Sequence, residues 1–353
     1  MQGKKLPATD AGLCWRRLTA MLLVAVTSLT FALAAPADES WERYKSRFMS
    51  ADGRILDSGN GDVSHSEGQG FGMLLAEAQG DREAFDRLWQ WTRLHLARTD
   101  VALFSWRYDP TNVPPVADPN NASDGDILIA WALQRAASRW QEPRYAQAAA
   151  MIREAIAEYL VVQRGGYRVL LPGVQGFRGE GYVDLNLSYW VMPALLDFAQ
   201  AEPDAGWETL VEDGLRLLEQ GRFGRYRLPT DWLRLDADGS LAPAPGWPPR
   251  FGFDAVRIPL YLAWADQLDR PGVSPILALW NDPARQPPPA WIDVYSEARA
   301  EYAASRGVLA IRALAGRDRR AMPAGLAPGD DYYSASLLLL ARLAQRESAP
   351  APD

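Results

Sequence analysis

Apolar residues along most of the chain recur at three- and four-residue spacing, the pattern of one face of a helix. Ile127, Ala130, Trp131 and Leu133, for example, would share such a face. No extended stretch alternates apolar and polar positions as a half-buried strand does. The pattern predicts an all-α protein, with helices over Trp41–Phe48, Gly70–Ala78, Arg82–Ala97, Asp126–Trp140, Pro143–Val162, Leu187–Ala199, Trp207–Glu219, Ala255–Leu268, Ile292–Ala315 and Tyr332–Ala344.

Loops rich in Pro, Gly and Asp separate the predicted helices, as expected of residues that end helices. Examples are Tyr108–Asn121, Leu171–Gly181 and Asp236–Arg250. No flexible linker divides residues 35–346, so we predict a single domain there, followed by a disordered tail over residues 347–353. Many helices in one chain fit a bundle, a solenoid or a closed ring of helical hairpins, and apolar spacing does not distinguish these three.

The first 34 residues have the layout of a secretory signal peptide. Positive residues at Lys4, Lys5, Arg16 and Arg17 precede an apolar run, which ends in the small-residue pattern Ala32-Leu33-Ala34. The alternative is an uncleaved membrane anchor, for which this run is at the short limit. We therefore predict export to the periplasm or the cell exterior, with no membrane association after cleavage.

Composition narrows the chemistry that the chain can perform. The formal net charge of −7 disfavours binding to nucleic acids or anionic membranes. The single cysteine, Cys14, lies in the leader, which leaves no disulfide, Cys-ligated metal or thiol nucleophile in residues 35–353. With only His65 and His95 present, carboxylates are the remaining candidate catalytic groups. The 14 Trp residues can stack on sugar rings or pack a helical core.

The densest acidic signal is Glu67, which is followed by Gly68, Gly70 and Gly72. In a helix interior each glycine costs roughly 1 kcal/mol relative to Ala. The close approach of a substrate or of another helix is the expected reason for this cost. The alternative is purely structural, with Ser66 capping a helix and Glu67 lying favourably in its first turn.

Two further acidic clusters have both a functional and a structural interpretation. Asp124 and Asp126 directly precede an apolar helix pattern, either as caps or as part of a calcium site that lacks the other ligands of an EF-hand loop. Asp254 lies among aromatic residues, and Arg257 follows on the same helical face, where the two can form a structural ion pair. No phosphate-binding glycine loop followed by Lys is present, and we predict neither a cofactor nor a metal.

Together, the three clusters resemble glycoside hydrolase family eight, and most closely its branch of periplasmic endoglucanases associated with bacterial cellulose synthesis. The resemblance runs from Trp41 to Tyr333, and its most specific part is the segment Ala122–Leu133. Gln134 departs from the aliphatic residue or Gly that is usual there. The fold of that family is an (α/α)6 barrel of six helical hairpins, so the resemblance selects the closed ring among the three arrangements.

The resemblance also implies roles for individual residues. By motif, Glu67 is the general acid and Asp254 is the base that activates water. Asp124 holds the distorted sugar, and Tyr189 lies near the attacking water. The residues implied to bind substrate in the cleft are Trp106, Asp126, Arg257, Tyr332 and Tyr333.

The implied reaction is hydrolysis of internal β-1,4 bonds in a glucan chain, cellulose or a cello-oligosaccharide. It proceeds with inversion, for which acid and base stand roughly 6.5–9.5 Å apart. Glu67 must keep its proton near neutral pH, and we expect the negative charge of Asp124 to raise the pKa of Glu67. The resemblance further suggests cellulose synthase machinery as a partner. The alternatives are a non-catalytic glucan-guiding protein and a family member that acts on xylan or chitosan.

Overall fold

The computed structural model describes residues 39–348. The predicted leader, residues 1–34, lies outside this range, as do residues 349–353. Among the described residues, no helix has both the length and the apolar character needed to cross a membrane. The helices are α1 (Glu39–Phe48), α2 (Ser66–Gln79), α3 (Arg82–His95), α4 (Ser123–Trp140), α5 (Pro143–Tyr159), α6 (Met192–Ala201), α7 (Trp207–Gln220), α8 (Ile258–Trp264), α9 (Ser274–Asn281), α10 (Arg306–Ala315) and α11 (Tyr332–Glu347).

Six of these helices form a closed ring. Helix α2 packs on α4, α4 on α6, α6 on α8, α8 on α10, α10 on α11, and α11 on α2. The other helices pack on this ring, with α1 against α11, α3 against α2, α5 against α4, α7 against α6 and α9 against α10. Helices α2 and α4 are buried on almost every side, whereas α7 has a polar face, which is the difference expected between inner and outer helices. The chain therefore adopts the closed ring of helical hairpins.

Short strands occur in the connections between helices, and the sequence pattern did not predict them. Each contains two to four residues, too few for alternation of apolar and polar positions to be visible. The largest sheet has the antiparallel order β5-β6-β7-β8. The strands are β1 (Ser64–His65), β2 (Arg107–Tyr108), β3 (Val161–Arg164), β4 (Tyr167–Leu170), β5 (Arg178–Gly179), β6 (Tyr182–Leu185), β7 (Leu233–Asp236), β8 (Leu241–Pro243), β9 (Arg250–Phe251) and β10 (Ile292–Asp293).

Two predicted helices are interrupted close to candidate site residues. The segment predicted as one helix from residue 187 starts with a single 3-10 turn, Leu187–Tyr189, and α6 follows it. The segment predicted from residue 255 likewise starts with a 3-10 turn, Ala255–Arg257, before α8. Pro193 and Pro259 lie in the first turns of α6 and α8, where a proline is tolerated because its missing N–H has no helical partner. Both candidate segments therefore lie in turns that immediately precede inner helices.

The predicted helix over Ile292–Ala315 is wrong in its first half. Residues 292 and 293 form β10, which pairs with β9 beside the candidate site. Helix α10 begins only at Arg306, where the Ser305 side chain accepts a hydrogen bond from the backbone N–H of Val308. A cap of this kind fixes the start of a helix more firmly than apolar spacing does.

The predicted C-terminal tail begins one residue too early. Helix α11 continues to Glu347. The Glu347 carboxylate accepts hydrogen bonds from Arg135 at 2.5 Å and from the Trp264 indole at 2.8 Å. These contacts attach the end of α11 to α4 and α8, so residue 347 belongs to the folded domain.

Helices α2 and α4 approach each other more closely than ordinary side chains allow. A Cβ atom at Gly70 would lie 2.5 Å from the Cβ of Leu128. A Cβ atom at Gly125 would lie 2.1 Å from the Ser66 hydroxyl and 2.8 Å from the backbone nitrogen of Glu67. The expectation that glycines beside Glu67 admit another helix is thus confirmed, and this contact brings the starts of α2 and α4 together.

Candidate active site

Three carboxylates from distant parts of the chain converge on Arg257. One terminal nitrogen of its guanidinium, Nη1, contacts Glu67 Oε1. The other, Nη2, lies 3.0 Å from Asp254 Oδ1 and 3.6 Å from Asp124 Oδ2, and donates a hydrogen bond of 2.8 Å to Ser188 Oγ. The three acidic clusters of the sequence therefore meet at one site. The Asp254–Arg257 ion pair exists, but it is one part of a larger arrangement.

The four charged side chains differ in their access to solvent. The exposed fraction is 17% for Glu67 and 29% for Asp254, but only 4% for each of Asp124 and Arg257. Glu67 and Asp254 can therefore reach a molecule bound at the surface. Asp124 and Arg257 lie beneath them. Arg257 was expected to line the cleft, and the structure places it instead among the carboxylates.

Glu67 and Asp124 occupy the same position in two neighbouring helices, the first turns of α2 and α4. The N-cap residues are His65 and Ala122, and neither makes a side-chain capping hydrogen bond. The structural alternative, in which Ser66 or the aspartates cap these helices, is therefore wrong. Both carboxylates lie at the positive end of a helix dipole, which stabilises negative charge.

Asp254 lies in a turn between β9 and the 3-10 helix before α8, and other side chains hold this turn. The Asp231 carboxylate accepts hydrogen bonds from several backbone N–H groups of the turn. The Tyr333 hydroxyl donates a 2.5 Å hydrogen bond to the carbonyl oxygen of Phe253. Tyr333 was predicted to contact substrate, and this bond gives it a role in holding the backbone next to Asp254.

The prediction that Asp126 binds substrate is wrong, because its side chain is fully buried. Oδ1 accepts a 2.8 Å hydrogen bond from the Phe104 N–H, and Oδ2 accepts one of 2.7 Å from the Asn121 amide. Asn121 in turn accepts a 2.8 Å hydrogen bond from the Val174 N–H. Asp126 therefore ties two loops to α4. With both oxygens bonded, it does not form the calcium site considered as an alternative, and residues 39–348 contain no group of three or more acidic, His or Cys side chains arranged to hold a metal.

The two predicted tyrosines Tyr189 and Tyr332 have different surroundings. The Arg257 guanidinium lies 5.7 Å from the centre of the Tyr189 ring. Burial, together with the charges of Asp124 and Asp254, raises the pKa of Tyr189, so its hydroxyl stays protonated. Tyr332, which was also predicted to bind substrate, has a side chain that is 3% exposed and packs edge-on against Phe48 with ring centres 6.3 Å apart.

Half-buried aromatic rings adjoin the carboxylates in two places. Trp106 stacks on His65 with ring centres 6.0 Å apart, and its backbone carbonyl accepts a hydrogen bond from Ser66, the neighbour of Glu67. Beside Tyr189, Trp232 is stacked between Phe177 at 5.6 Å and Trp247 at 4.5 Å. Other Trp residues pack the core, which was the alternative to sugar binding that the Trp content allowed. The fully buried ones are Trp41, Trp131, Trp190, Trp207 and Trp280.

Burial raises the pKa of two of these side chains, Asp124 and Asp254, above that of an ordinary aspartate. It raises the pKa of Asp124 to about 7. The pKa of Asp254 lies well above its usual value because of burial, and the negative charges of Asp231 and Asp124 act in the same direction. A single guanidinium cannot neutralise three carboxylates, which adds to the cost of ionising Asp124 and Asp254 together.

Sequence reasoning missed three polar residues that hold the site together. Ser188 accepts a hydrogen bond from Arg257. The only indication of its role in the sequence is that it directly precedes Tyr189, a predicted site residue. Asn121 lies at the edge of the Asp124 cluster and was assigned no role. Asp231 stands alone between Thr230 and Trp232, where no motif marks it. Its function depends on a contact across the fold that spacing along the chain does not reveal.

Comparison with known proteins identifies the family of this site. The model of the glycosyl hydrolases family 8 matches residues 12–347. A probable endoglucanase from Novacetimonas hansenii is 43% identical over 335 residues, which cover 94% of this chain and 98% of the relative. An endoglucanase from Cellulomonas uda is 48% identical over 299 residues, which cover 83% of this chain and 82% of the relative.

Solved structures lead to the same family. A family 8 endoglucanase from Klebsiella pneumoniae superposes with a TM-score of 0.85 at 48% identity, covering 88% of this chain and all of the other. An endo-β-1,4-glucanase from Acetobacter xylinum superposes with a TM-score of 0.84 at 43% identity, covering 87% of this chain and 97% of the other. These likenesses confirm the predicted (α/α)6 barrel and the predicted enzyme class, a glycoside hydrolase. The chain belongs to glycosyl hydrolase family 8.

Proposed function

We propose that this protein is a secreted endo-β-1,4-glucanase that cuts internal bonds of cellulose chains with inversion of configuration. The observation that carries the proposal is the pair Glu67 and Asp254. These two partly exposed carboxylates come from separate regions and contact opposite nitrogens of one buried Arg257. Glycoside hydrolysis needs two carboxyl groups, one protonated and one ionised. The endoglucanases among the relatives support a β-1,4-glucan as the substrate.

Glu67 acts as the general acid in this proposal. Its proton passes to the glycosidic oxygen as the bond from that oxygen to the anomeric carbon breaks. The proton is available because three carboxylates share the single positive charge of Arg257, so full ionisation of the group is unfavourable. Asp124, ionised above its pKa of about 7, stabilises the positive charge that develops on the sugar ring.

Asp254 acts as the general base. It removes a proton from a water molecule whose oxygen forms the new bond to the anomeric carbon, on the face opposite the leaving group. The raised pKa of Asp254 makes its ionised form a stronger base than an ordinary aspartate. Tyr189, protonated and next to Arg257, is placed to donate a hydrogen bond near the attacking water.

The half-buried aromatic rings provide surfaces for the sugar chain. Trp106 lies beside Glu67, and the stack that includes Trp232 lies beside Tyr189. Aromatic faces pack against the apolar C–H faces of glucose units without requiring any charge on the substrate. A glucan bound across both surfaces would pass the acid and the base, which is the arrangement that internal cleavage requires.

Export and a role in bacterial cellulose biosynthesis, including contact with the synthase machinery, are part of the proposal and rest on the leader pattern and the family resemblance. The test of export is N-terminal sequencing of enzyme recovered from the periplasmic fraction of cells that express the full chain. A mature end directly after Ala34 supports cleavage and release. An intact N-terminus found in the membrane fraction would contradict cleavage.

The activity is tested by viscosity loss and sugar release on soluble carboxymethylcellulose. We expect the wild type to lower viscosity rapidly. Glu67→Gln should be slower by about 10²–10⁴-fold, the usual contribution of a general acid. Glu83→Gln is the matched control, because Glu83 is 85% exposed on α3, away from the site. It should match the wild type.

The other outcomes distinguish the rival functions. Cleavage of xylan or chitosan with no effect on carboxymethylcellulose would contradict the glucan substrate but retain the acid and base. Retained glucan binding with no hydrolysis of any of the three polysaccharides would favour the glucan-guiding protein. Equal activity of Glu67→Gln and the wild type would remove Glu67 as the acid.

A further inference from the structure

Asp231 is a buried carboxylate directly behind the proposed base. Its side chain is 4% exposed. Oδ1 accepts hydrogen bonds from three backbone N–H groups of the turn that contains Asp254: 3.0 Å from Gly252, 3.2 Å from Asp254 itself and 2.9 Å from Ala255. Three donors on a single oxygen fix both the carboxylate and the turn.

Contacts from the other side hold Asp231 in the same place. Its backbone N–H donates a 2.8 Å hydrogen bond to the Arg250 carbonyl, and the Arg250 side chain lies 3.4 Å from Oδ2. A Cβ atom at Gly252 would lie 2.8 Å from Oδ2, so the absence of a side chain there allows the close approach. Burial raises the pKa of the Asp231 carboxyl group, while the backbone N–H donors and Arg250 favour its ionised form.

Asp254 is surrounded by charged and titratable groups of both signs. Arg257 lies 3.0 Å away, and the negative charges of Asp124 and Asp231 oppose the ionisation of Asp254. Arg250 and the Asn186 amide favour its ionised form, although burial outweighs them. The hydroxyls of Tyr189 and Tyr333 face the same group of side chains and remain protonated, because burial raises the pKa of each. Among these groups, Asp231 accepts hydrogen bonds from the backbone N–H groups of the Asp254 turn, and Tyr333 donates one to the Phe253 carbonyl.

We propose that Asp231 is a positioning residue for the hydrolytic reaction: it fixes the turn that aims Asp254 and keeps a second negative charge behind the base. The inference rests on the proposed role of Asp254 as the base. It extends that role to a residue that does not touch the substrate. Because the oxygen that binds the turn carries part of the negative charge, one side chain sets both the direction and the basicity of Asp254.

Two substitutions separate these effects. Asp231→Asn keeps an oxygen that can accept the N–H bonds but removes the charge. Loss of the charge lowers the pKa of Asp254, so the acidic limb of kcat/KM should move to lower pH, by about one unit. Asp231→Ala removes both effects, and the loosened turn should lower kcat by about tenfold or more while KM changes little. The assay measures pH profiles on a soluble cello-oligosaccharide, with thermal unfolding as the check on folding.

Asp213→Asn is the matched control. Asp213 is also a buried carboxylate that accepts a backbone hydrogen bond, 2.7 Å from the N–H of Arg168, but it lies on α7. Its pH profile should match that of the wild type. An Asp231→Asn enzyme with an unshifted acidic limb and normal kcat would overturn the proposal, as would an equal shift in Asp213→Asn.

The Asp254→Asn variant distinguishes a failure of the positioning role of Asp231 from a failure of the proposed base assignment. If Asp254→Asn is inactive and Asp231→Asn behaves as the wild type, the positioning role fails and the base assignment stands. If Asp254→Asn retains activity, the base assignment itself fails. Should Asp231→Ala not fold, the pH profile of the isosteric Asp231→Asn variant decides.

Discussion

The two sides of the candidate active site are built in different ways. Glu67 and Asp124 occupy the first turns of α2 and α4, two inner helices that touch where Gly70 and Gly125 leave space. Asp254 lies in a short turn, held by hydrogen bonds from its backbone to the Asp231 side chain. On the helical side, close packing sets the position of the carboxylates. On the turn side, polar side chains do so.

The two sides are therefore sensitive to different kinds of substitution. Close packing tolerates little added volume, because a single methyl group must displace backbone or a buried side chain. A turn held by hydrogen bonds is instead sensitive to the loss of an acceptor, since unpaired buried N–H groups are costly. Arg257 joins the two sides, because its guanidinium contacts carboxylates from both.

Among the variants that compare the two sides, Arg257→Lys should have the largest effect, because it breaks the link between them. Lysine keeps the positive charge but lacks the planar fork that reaches three carboxylates and Ser188 at once. We expect kcat/KM on carboxymethylcellulose to fall by about 10²-fold, the effect typical of misplaced catalytic groups. Arg270→Lys, in an exposed ion pair with Glu212, is the control and should retain full activity. Comparable activity of the two variants would show that charge alone suffices at position 257.

Asp124→Asn tests the helical side through its charge. Removing a negative charge favours ionisation of the neighbouring carboxyl groups, so the whole pH profile of kcat/KM should move to lower pH, with a rate loss of about tenfold. Asp124 has a pKa of about 7 and carries its charge only above that pH. If Glu67 is the acid, as proposed, the alkaline limb reports loss of its proton, so the shift should be larger on the alkaline limb than on the acidic limb.

Asp197→Asn is the control for that experiment. Burial also raises the pKa of Asp197, but this residue bonds the Trp131 indole, away from the active site. Its pH profile should equal that of the wild type. An alkaline limb that stays in place in Asp124→Asn would exclude Asp124 from setting the proton affinity of the acid.

The smallest effect on rate is expected from Gly125→Ala, which tests packing directly. The new methyl group would lie 2.1 Å from the Ser66 hydroxyl and 2.8 Å from the Glu67 nitrogen, so α2 and α4 must move apart. Overpacking of this kind destabilises by about 1–3 kcal/mol, and activity should fall a few-fold. Thermal and denaturant unfolding measure the loss. Gly59→Ala, whose nearest neighbour is an Asp57 oxygen at 3.5 Å, should leave stability unchanged. Equal stability of both variants would contradict the packing account.

The helical side was more predictable from sequence than the turn side, for physical reasons. Glu67 and Asp124 stand next to glycines and at the start of strongly apolar helices, so local pattern and family motif agree there. The turns before α6 and α8 continue the apolar spacing of those helices and were predicted as helix. Only the positions of Pro193 and Pro259 indicated that the helices start later.

Residue roles carried over from the family were less secure than residue positions. Asp126 and Tyr332 were both predicted to bind substrate, yet the structure buries both side chains. Asp231 carried no signal, because its partners are backbone N–H groups some twenty positions later in the chain. Motifs identify side chains that perform chemistry. The side chains that hold a backbone in place are recognised only when the fold brings the two segments together.

The anomeric form of the first product tests whether Glu67 and Asp254 act as acid and base across Arg257. Proton NMR can follow the hydrolysis of cellopentaose during the first minutes, before mutarotation mixes the anomers. We expect the α-anomer of the new reducing end to appear first, because a water activated by Asp254 attacks opposite the leaving group. Initial formation of the β-anomer would contradict it, since retention requires a covalent intermediate and hence a nucleophile in place of the base.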